Sequence, residues 1–238
     1  MSQVQIKRIL FANVSGFLVF KGSSAILIDT GHKFSVDAFS NTMQKMSFLP
    51  ENIKLIILTH THFDHAGGAK EIQEITGAPI AVHTSEADFL RAGKTPFPRG
   101  TRWKGKLMKF LGDRLFRRRA SYPSLVPDIL IDDLMELSVY GIEGKVLHTP
   151  GHTSGSLSVI LDNGKAFVGD NVLGIINKEH FPPFANDEID VLKSWEKYIN
   201  LGISEVYPAH GESVPIESLI EELPAAKMKY RQHIKGDN

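Results

Sequence analysis

Apolar residues along this chain gather in short runs that stop at glycine, proline or a polar turn, which is the rhythm of strands. The first thirty residues read as three strands, 3–10, 16–21 and 25–29, with Gly22-Ser23-Ser24 turning between the second and third. A helix is expected over about 35–46, stopped before Pro50. The apolar run 53–58 reads as a buried strand, followed by a helix that begins near Asp64 and ends at about Ile75, before Gly77 and Pro79. A strand is expected at 79–83 and a helix from 85 to 91. Residues 92–126 interrupt the pattern with prolines and glycines in front and a basic cluster behind. Beyond Pro127 the chain returns to strands at 129–132, 135–139 and 144–147. A hairpin follows, 156–161 with 165–168, around Asp162-Asn163-Gly164. The last elements are a helix at 187–201, a strand at 205–207 and a helix from about Glu217 that Pro224 should break or kink.

Each half therefore opens with strands and continues with helix-flanked strands, and no Gly, Ser or Pro-rich linker separates the halves. Sheets with helices outside them predict an α+β fold, a four-layer αββα sandwich. We expect one domain over 1–238, carrying a basic helical insertion at about 92–126.

Composition adds three constraints. The chain has 238 residues and no cysteine, which removes disulfides, thiolate ligands and a cysteine nucleophile. It has no apolar run of the ~18 residues that a membrane span needs, and Met1–Arg8 lacks the pattern of a secretory signal, so a cytoplasmic location is expected. Net charge is zero, but residues 91–120 hold eleven Lys or Arg against Asp113 alone, leaving the remainder at −10.

The chemistry concentrates where the strand at 53–58 ends: Thr59-His60-Thr61-His62-Phe63-Asp64-His65-Ala66-Gly67-Gly68. A straight strand cannot aim residues two and five apart at one point, but a strand-to-helix turn can. Imidazole nitrogens and carboxylate oxygens are the ligands of zinc and neighbouring divalent metals. Three further strand ends carry such residues: His148-Thr149-Pro150-Gly151-His152-Thr153, Gly169-Asp170 and Pro208-Ala209-His210-Gly211. If these strands are neighbours, their ends share one rim.

Taken in order, His-x-His-x-Asp-His, Thr-Pro-Gly-His-Thr, Gly-Asp and Pro-Ala-His-Gly resemble the metallo-β-lactamase superfamily of hydrolases, over most of the chain from Asp29 to His210. The resemblance implies a first metal on His60, His62 and His152, a second on Asp64, His65 and His210, and Asp170 bridging them. It implies the αββα fold with the site on one edge of the paired sheets. The implied cofactors are two divalent ions, zinc first, with iron and manganese also compatible. Their shared hydroxide would cleave an ester, thioester or lactone, with Asp64 orienting it. A mono-iron persulfide dioxygenase, a phosphodiesterase and a silent binding module are the alternatives.

Around this set, Asp29 reads as a residue that supports a ligand rather than as a ligand. His148 could support the ligand turn or simply pack, and His180 could overhang the site with Phe181-Pro182-Pro183-Phe184. His83 reads as packing; His32 and His233 read as surface residues. Within 99–119, Trp103, Leu107, Phe110, Leu111 and Leu115 recur at three- and four-residue steps, as one face of a helix does. That helix is either a structural cover or a lid whose apolar face lines an acyl pocket. Its charges would attract an anionic acyl or lactone substrate, or make peripheral contact with a membrane; no nucleic-acid partner is expected.

Overall fold

The computed structural model describes residues 3–101, 121–174 and 179–234. Two six-stranded sheets face each other. The first contains, in spatial order, β1 (Gln5–Phe11), β2 (Val14–Lys21), β3 (Ser24–Ile28), β4 (Ile53–Ile57), β5 (Ile80–His83) and β6 (Ile129–Ile131). Its first three strands form an antiparallel meander and β3 to β6 run parallel. Parallel neighbours need crossovers, which α1 (Val36–Met46) and α2 (Ala69–Thr76) supply; α3 (Ala87–Ala92) follows β5. The second sheet contains β7 (Leu134–Glu136), β8 (Gly144–His148), β9 (Leu157–Leu161), β10 (Lys165–Gly169), β11 (Glu205–Pro208) and β12 (Val214–Pro215), with β7 and β12 at its edges. Helices α4 (Glu188–Asn200) and α5 (Ile216–Ile234) cover it.

Strand periodicity sorts the apolar side chains into three layers. Val19, Ile26, Leu55 and Ile57 meet Val146, Leu157, Val159 and Phe167 between the sheets. Their sequence neighbours Leu18, Leu27 and Ile56 point the other way, onto Phe39 and Met43 of α1, Ile72 of α2 and Leu90 of α3. On the second sheet, Ile160, Ala166, Val168 and Val206 pack under Val191, Leu192, Trp195 and Tyr198 of α4 and Leu219 of α5. Strands buried on both faces are apolar at nearly every position, which is why the sequence shows runs rather than alternation. The result is the expected αββα sandwich.

Some boundaries differ from expectation. The first hairpin is tighter, with Ala12 at φ 60° in a two-residue turn between β1 and β2. The strands expected at 129–132 and 135–139 lie in different sheets, because the chain crosses from one to the other at Asp132-Asp133. The second of them stops at Glu136; Ser138–Tyr140 is a 3-10 turn and Val139 is 80% exposed. Helix α2 starts at Ala69, not near Asp64. Gly67 passes so close to the preceding loop that a Cβ there would stand 2.5 Å from Lys33 N, which holds 62–68 in a compact turn. Helix α5 continues through Pro224. The basic cluster beyond residue 101, including Trp103, Leu107, Phe110, Leu111 and Leu115 of the expected lid helix, lies outside the described residues. Among the described residues no helix is long and apolar enough to cross a membrane.

Strands β3 and β4 are parallel, as are β10 and β11, so the ends that carry Asp29 with His60, and Asp170 with His210, each lie together. Backbone bonds stitch the two sheets there: Leu157 N–H donates to Thr59 O at 2.8 Å and Ser15 N–H to Ala209 O at 2.8 Å.

Candidate metal centre

At this edge the compact turn after β4 presents His60, His62, Asp64 and His65. The loop after β8 adds His152, the end of β10 adds Asp170, and the end of β11 adds His210. Potential ligand atoms of His60, His62 and His152 all lie within 4.8 Å of one another; so do those of His60, His65 and Asp170, and those of Asp64, His65 and His210. Asp170 stands between the outer groups. Its Oδ2 is 3.6 Å from both His152 Nε2 and His210 Nε2, and its Oδ1 is 3.3 Å from His65 Nε2.

Each of the five imidazoles has its outward nitrogen occupied, which fixes which nitrogen faces inward. His65 Nδ1 donates to Asp29 Oδ2 at 2.9 Å, and His60 Nδ1 donates to the Thr59 hydroxyl at 3.2 Å. That hydroxyl donates in turn to Asp29 Oδ2 at 2.8 Å, and Thr59 N–H donates to Asp29 Oδ1 at 2.8 Å. Asp29 thus braces two histidines from a left-handed backbone position, φ 58°, of the kind that accumulates at functional sites. His152 Nδ1 donates to Phe184 O at 2.8 Å, His210 Nδ1 to Asn13 O at 3.0 Å, and His62 Nε2 to Pro96 O at 3.3 Å. With those donors spent, His62 Nδ1 and His152 Nε2 are both acceptors, yet they face each other at 3.1 Å. Two lone pairs that close repel unless a cation lies between them. His60 Nε2 is also buried without a hydrogen-bond partner. Leaving such groups unpaired is costly, so the donor set fits divalent metal, and nitrogen with carboxylate ligands suits zinc, iron or manganese.

The electrostatics divide the centre. Burial pushes His60 well below its ordinary value and lowers His62, while His152 falls to about 4 through burial despite the pull of Asp170. These three are free bases at neutral pH. Burial opposes charge on His65 too, but the carboxylates of Asp170 and Asp29 outweigh it and raise it well above the usual value. His210 rises to about 9 against burial, through Asp170 and a bond to Asp64. Asp64 falls to about 2 despite burial, because His210 and His65 favour its anion, and Asp170 is likewise held well below the carboxylate range by His210 and His65.

The other expected residues fall into place unevenly. Asp29 contacts the centre as described. His148 does not; it stacks on His83 at 4.0 Å, with Nε2 donating to Ser154 O at 2.8 Å. His180 Nδ1 donates to Leu173 O at 2.8 Å and its backbone N–H to Glu222 at 2.7 Å, and neither bond reaches the cluster. His32, read as a surface residue, is half-buried beside Asn13 (3.0 Å) and Phe63. Trp103 lies outside the described residues. Sequence reading gave no role to Thr59 or Asn13; of the loop 181–184 expected to overhang the site, Phe184 reaches it through its backbone carbonyl. Sequence reading also missed Asn171, whose Oδ1 accepts from His152 N–H at 3.0 Å and whose amide donates to Thr149 O. Its position directly after Asp170 was the available signal. Over the His62 side, the Phe97 ring lies nearly parallel to the imidazole at 5.6 Å and meets Phe184 edge-on at 4.9 Å.

The model of the metallo-beta-lactamase superfamily matches residues 10–210. The chain belongs to this superfamily. It is 28% identical over 217 residues to a beta-lactamase-like protein 2 homolog of Drosophila melanogaster, covering 90% of this chain and 61% of the relative's length. The chain thus spans about three fifths of that superfamily member. A probable metallo-hydrolase of Methanocaldococcus jannaschii is 28% identical over 197 residues, 80% of this chain and 84% of its own. Among solved structures, the BLEG-1 B3 metallo-beta-lactamase superposes with a TM-score of 0.71 at 21% identity, over 93% of this chain and 99% of that one, which establishes the superfamily fold.

Proposed function

We propose that the chain is a metal-dependent hydrolase of carbonyl esters, thioesters or lactones. His60, His62 and His152 would hold one ion, Asp64, His65 and His210 a second, with Asp170 bridging. The observation that carries this reading is the place of Asp170, with one oxygen 3.6 Å from an imidazole nitrogen of each group. The archaeal relative's description as a probable metallo-hydrolase supports the class. When bound, two such ions would polarise a carbonyl oxygen and lower the pKa of a shared water toward ~7.

The chain's own residues supply the rest. Asp64, with its side chain 16% exposed beside His210, would orient that water. Asp29 holds His65 in the tautomer that presents Nε2. Asp64 and Asp170 offset only part of the charge of two divalent ions, which leaves the centre attractive to a developing oxyanion. Phe97 and Phe184 offer an apolar wall for the acyl group, next to the His62 and His152 side of the centre. A panel of acyl esters, acyl thioesters and lactones, run with and without chelator, tests the reading. Turnover that chelation removes and zinc, iron or manganese restores is expected. Cleavage of phosphodiesters alone contradicts it.

A further inference from the structure

Behind the histidine turn sits a carboxylate for which the proposed reaction has no use. Glu86 ends the 3-10 turn Thr84–Glu86 and precedes α3, yet it is 0% exposed and does not cap that helix. Its Oε2 accepts from Thr61 N–H at 3.1 Å and from the Thr61 hydroxyl, while Oε1 has no hydrogen-bond partner. The carbonyl of Thr61 accepts from Tyr122 Oη at 2.7 Å and from the Thr95 hydroxyl. Thr95 Oγ1 also lies 2.8 Å from Thr61 Oγ1 and 3.1 Å from Tyr122 Oη. Every polar group of Thr61, the residue between His60 and His62, is therefore held. From the other side, Gly155 of the loop that carries His152 lies against the stem of the same side chain; a Cβ there would stand 2.5 Å from Glu86 Cγ. Glu86 thus touches both loops that carry His60, His62 and His152, and none of its hydrogen bonds reaches Asp64, His65 or His210.

We propose that Glu86 is a positioning residue for the His60, His62 and His152 group. It clamps the Thr61 peptide, which fixes the angle between the two imidazoles on either side of it. Through Thr95 and Tyr122 the same clamp ties both ends of the segment 96–121 to the metal turn. The inference rests on the metal-binding reading above, and its test separates the two.

Zinc affinity is measured by competition with a chromophoric chelator in two backgrounds. His210→Ala leaves the His60, His62 and His152 group whole, and His152→Ala leaves the Asp64, His65 and His210 group whole. Adding Glu86→Ala should weaken zinc binding about 10–100-fold in the first background, the range for residues that orient ligands, and leave the second within about twofold. Glu86→Gln, which keeps an accepting oxygen, should restore most of the loss. Tyr122→Phe should give a smaller loss in the same direction, and it carries the test if Glu86→Ala does not fold by circular dichroism. Equal weakening in both backgrounds, or no weakening in the first, overturns the proposal. Absence of zinc binding in both parent variants overturns the metal reading itself, and this inference with it.

Discussion

Two groups of side chains share one edge of the sandwich and are prepared for a cation in opposite ways. His60, His62 and His152 are buried, uncharged and held by outward hydrogen bonds, so their inward lone pairs face one another before any cation arrives. Asp64, His65 and His210 are held by mutual attraction, carboxylate against protonated imidazole, and Asp64 and His210 keep 16% and 19% of their side chains exposed. On the proposed reading, the first group would meet a metal with its lone pairs already aligned. In the second, protons would compete with a metal for the same ligand atoms. On the proposed reading Asp170 would belong to both, and the deeper group is expected to bind metal more tightly and with less dependence on pH.

The largest expected effect is on pH dependence. His210, raised to about 9, holds its proton below that pH in the metal-free protein, so protons compete with metal throughout the neutral range. Affinity of the Asp64, His65 and His210 group, measured in the His152→Ala background, should rise about tenfold per pH unit for each proton displaced, up to about pH 9. The deeper group, in the His210→Ala background, should stay flat from neutral pH upward, because His152 titrates at about 4. Calorimetry in buffers of different ionisation enthalpy counts the protons released. Equal release from both groups would dissolve the distinction.

A smaller effect should follow from Asp29→Ala, which removes the acceptor for His65 Nδ1. Metal affinity of the open group should fall about 10–100-fold, and that of the deep group less, since His60 keeps the Thr59 hydroxyl. Next comes Phe97→Ala, expected to raise KM for a hexanoyl substrate about tenfold while sparing acetyl, on ~0.8 kcal/mol for each CH2 removed from water. Equal changes for both substrates would remove Phe97 from the acyl site. The smallest effect is that of salt: turnover of anionic substrates should decline between 0.01 and 0.1 M as the Debye length shrinks from about 30 to about 10 Å. Insensitivity to salt would leave the basic segment without a steering role.

Much of this architecture could be read from the chain alone, for a physical reason. Strands buried on both faces leave uninterrupted apolar runs, and the candidate ligands follow those runs directly, so Leu58 before His60 and Val168 before Asp170 mark their own positions. Supporting contacts were harder to see. Phe184 and Asn13 contribute carbonyls, which every residue has, and Glu86 looks in sequence like an acid at the start of an exposed helix. The start of α2 was misplaced because Gly67 and Gly68 were taken into the helix, while their need for close approach to residues 30–33 shows only in three dimensions. The crossing between sheets at Asp132-Asp133 leaves no mark in the periodicity either.

The central claim is that Asp170 joins two metal sites in one chain. Elemental analysis after purification without added metal tests it most directly, on the native chain and on Asp170→Ala. Two ions per native chain and one per variant chain are expected, the remaining ion lying with His60, His62 and His152. One ion per chain in both proteins would contradict the account.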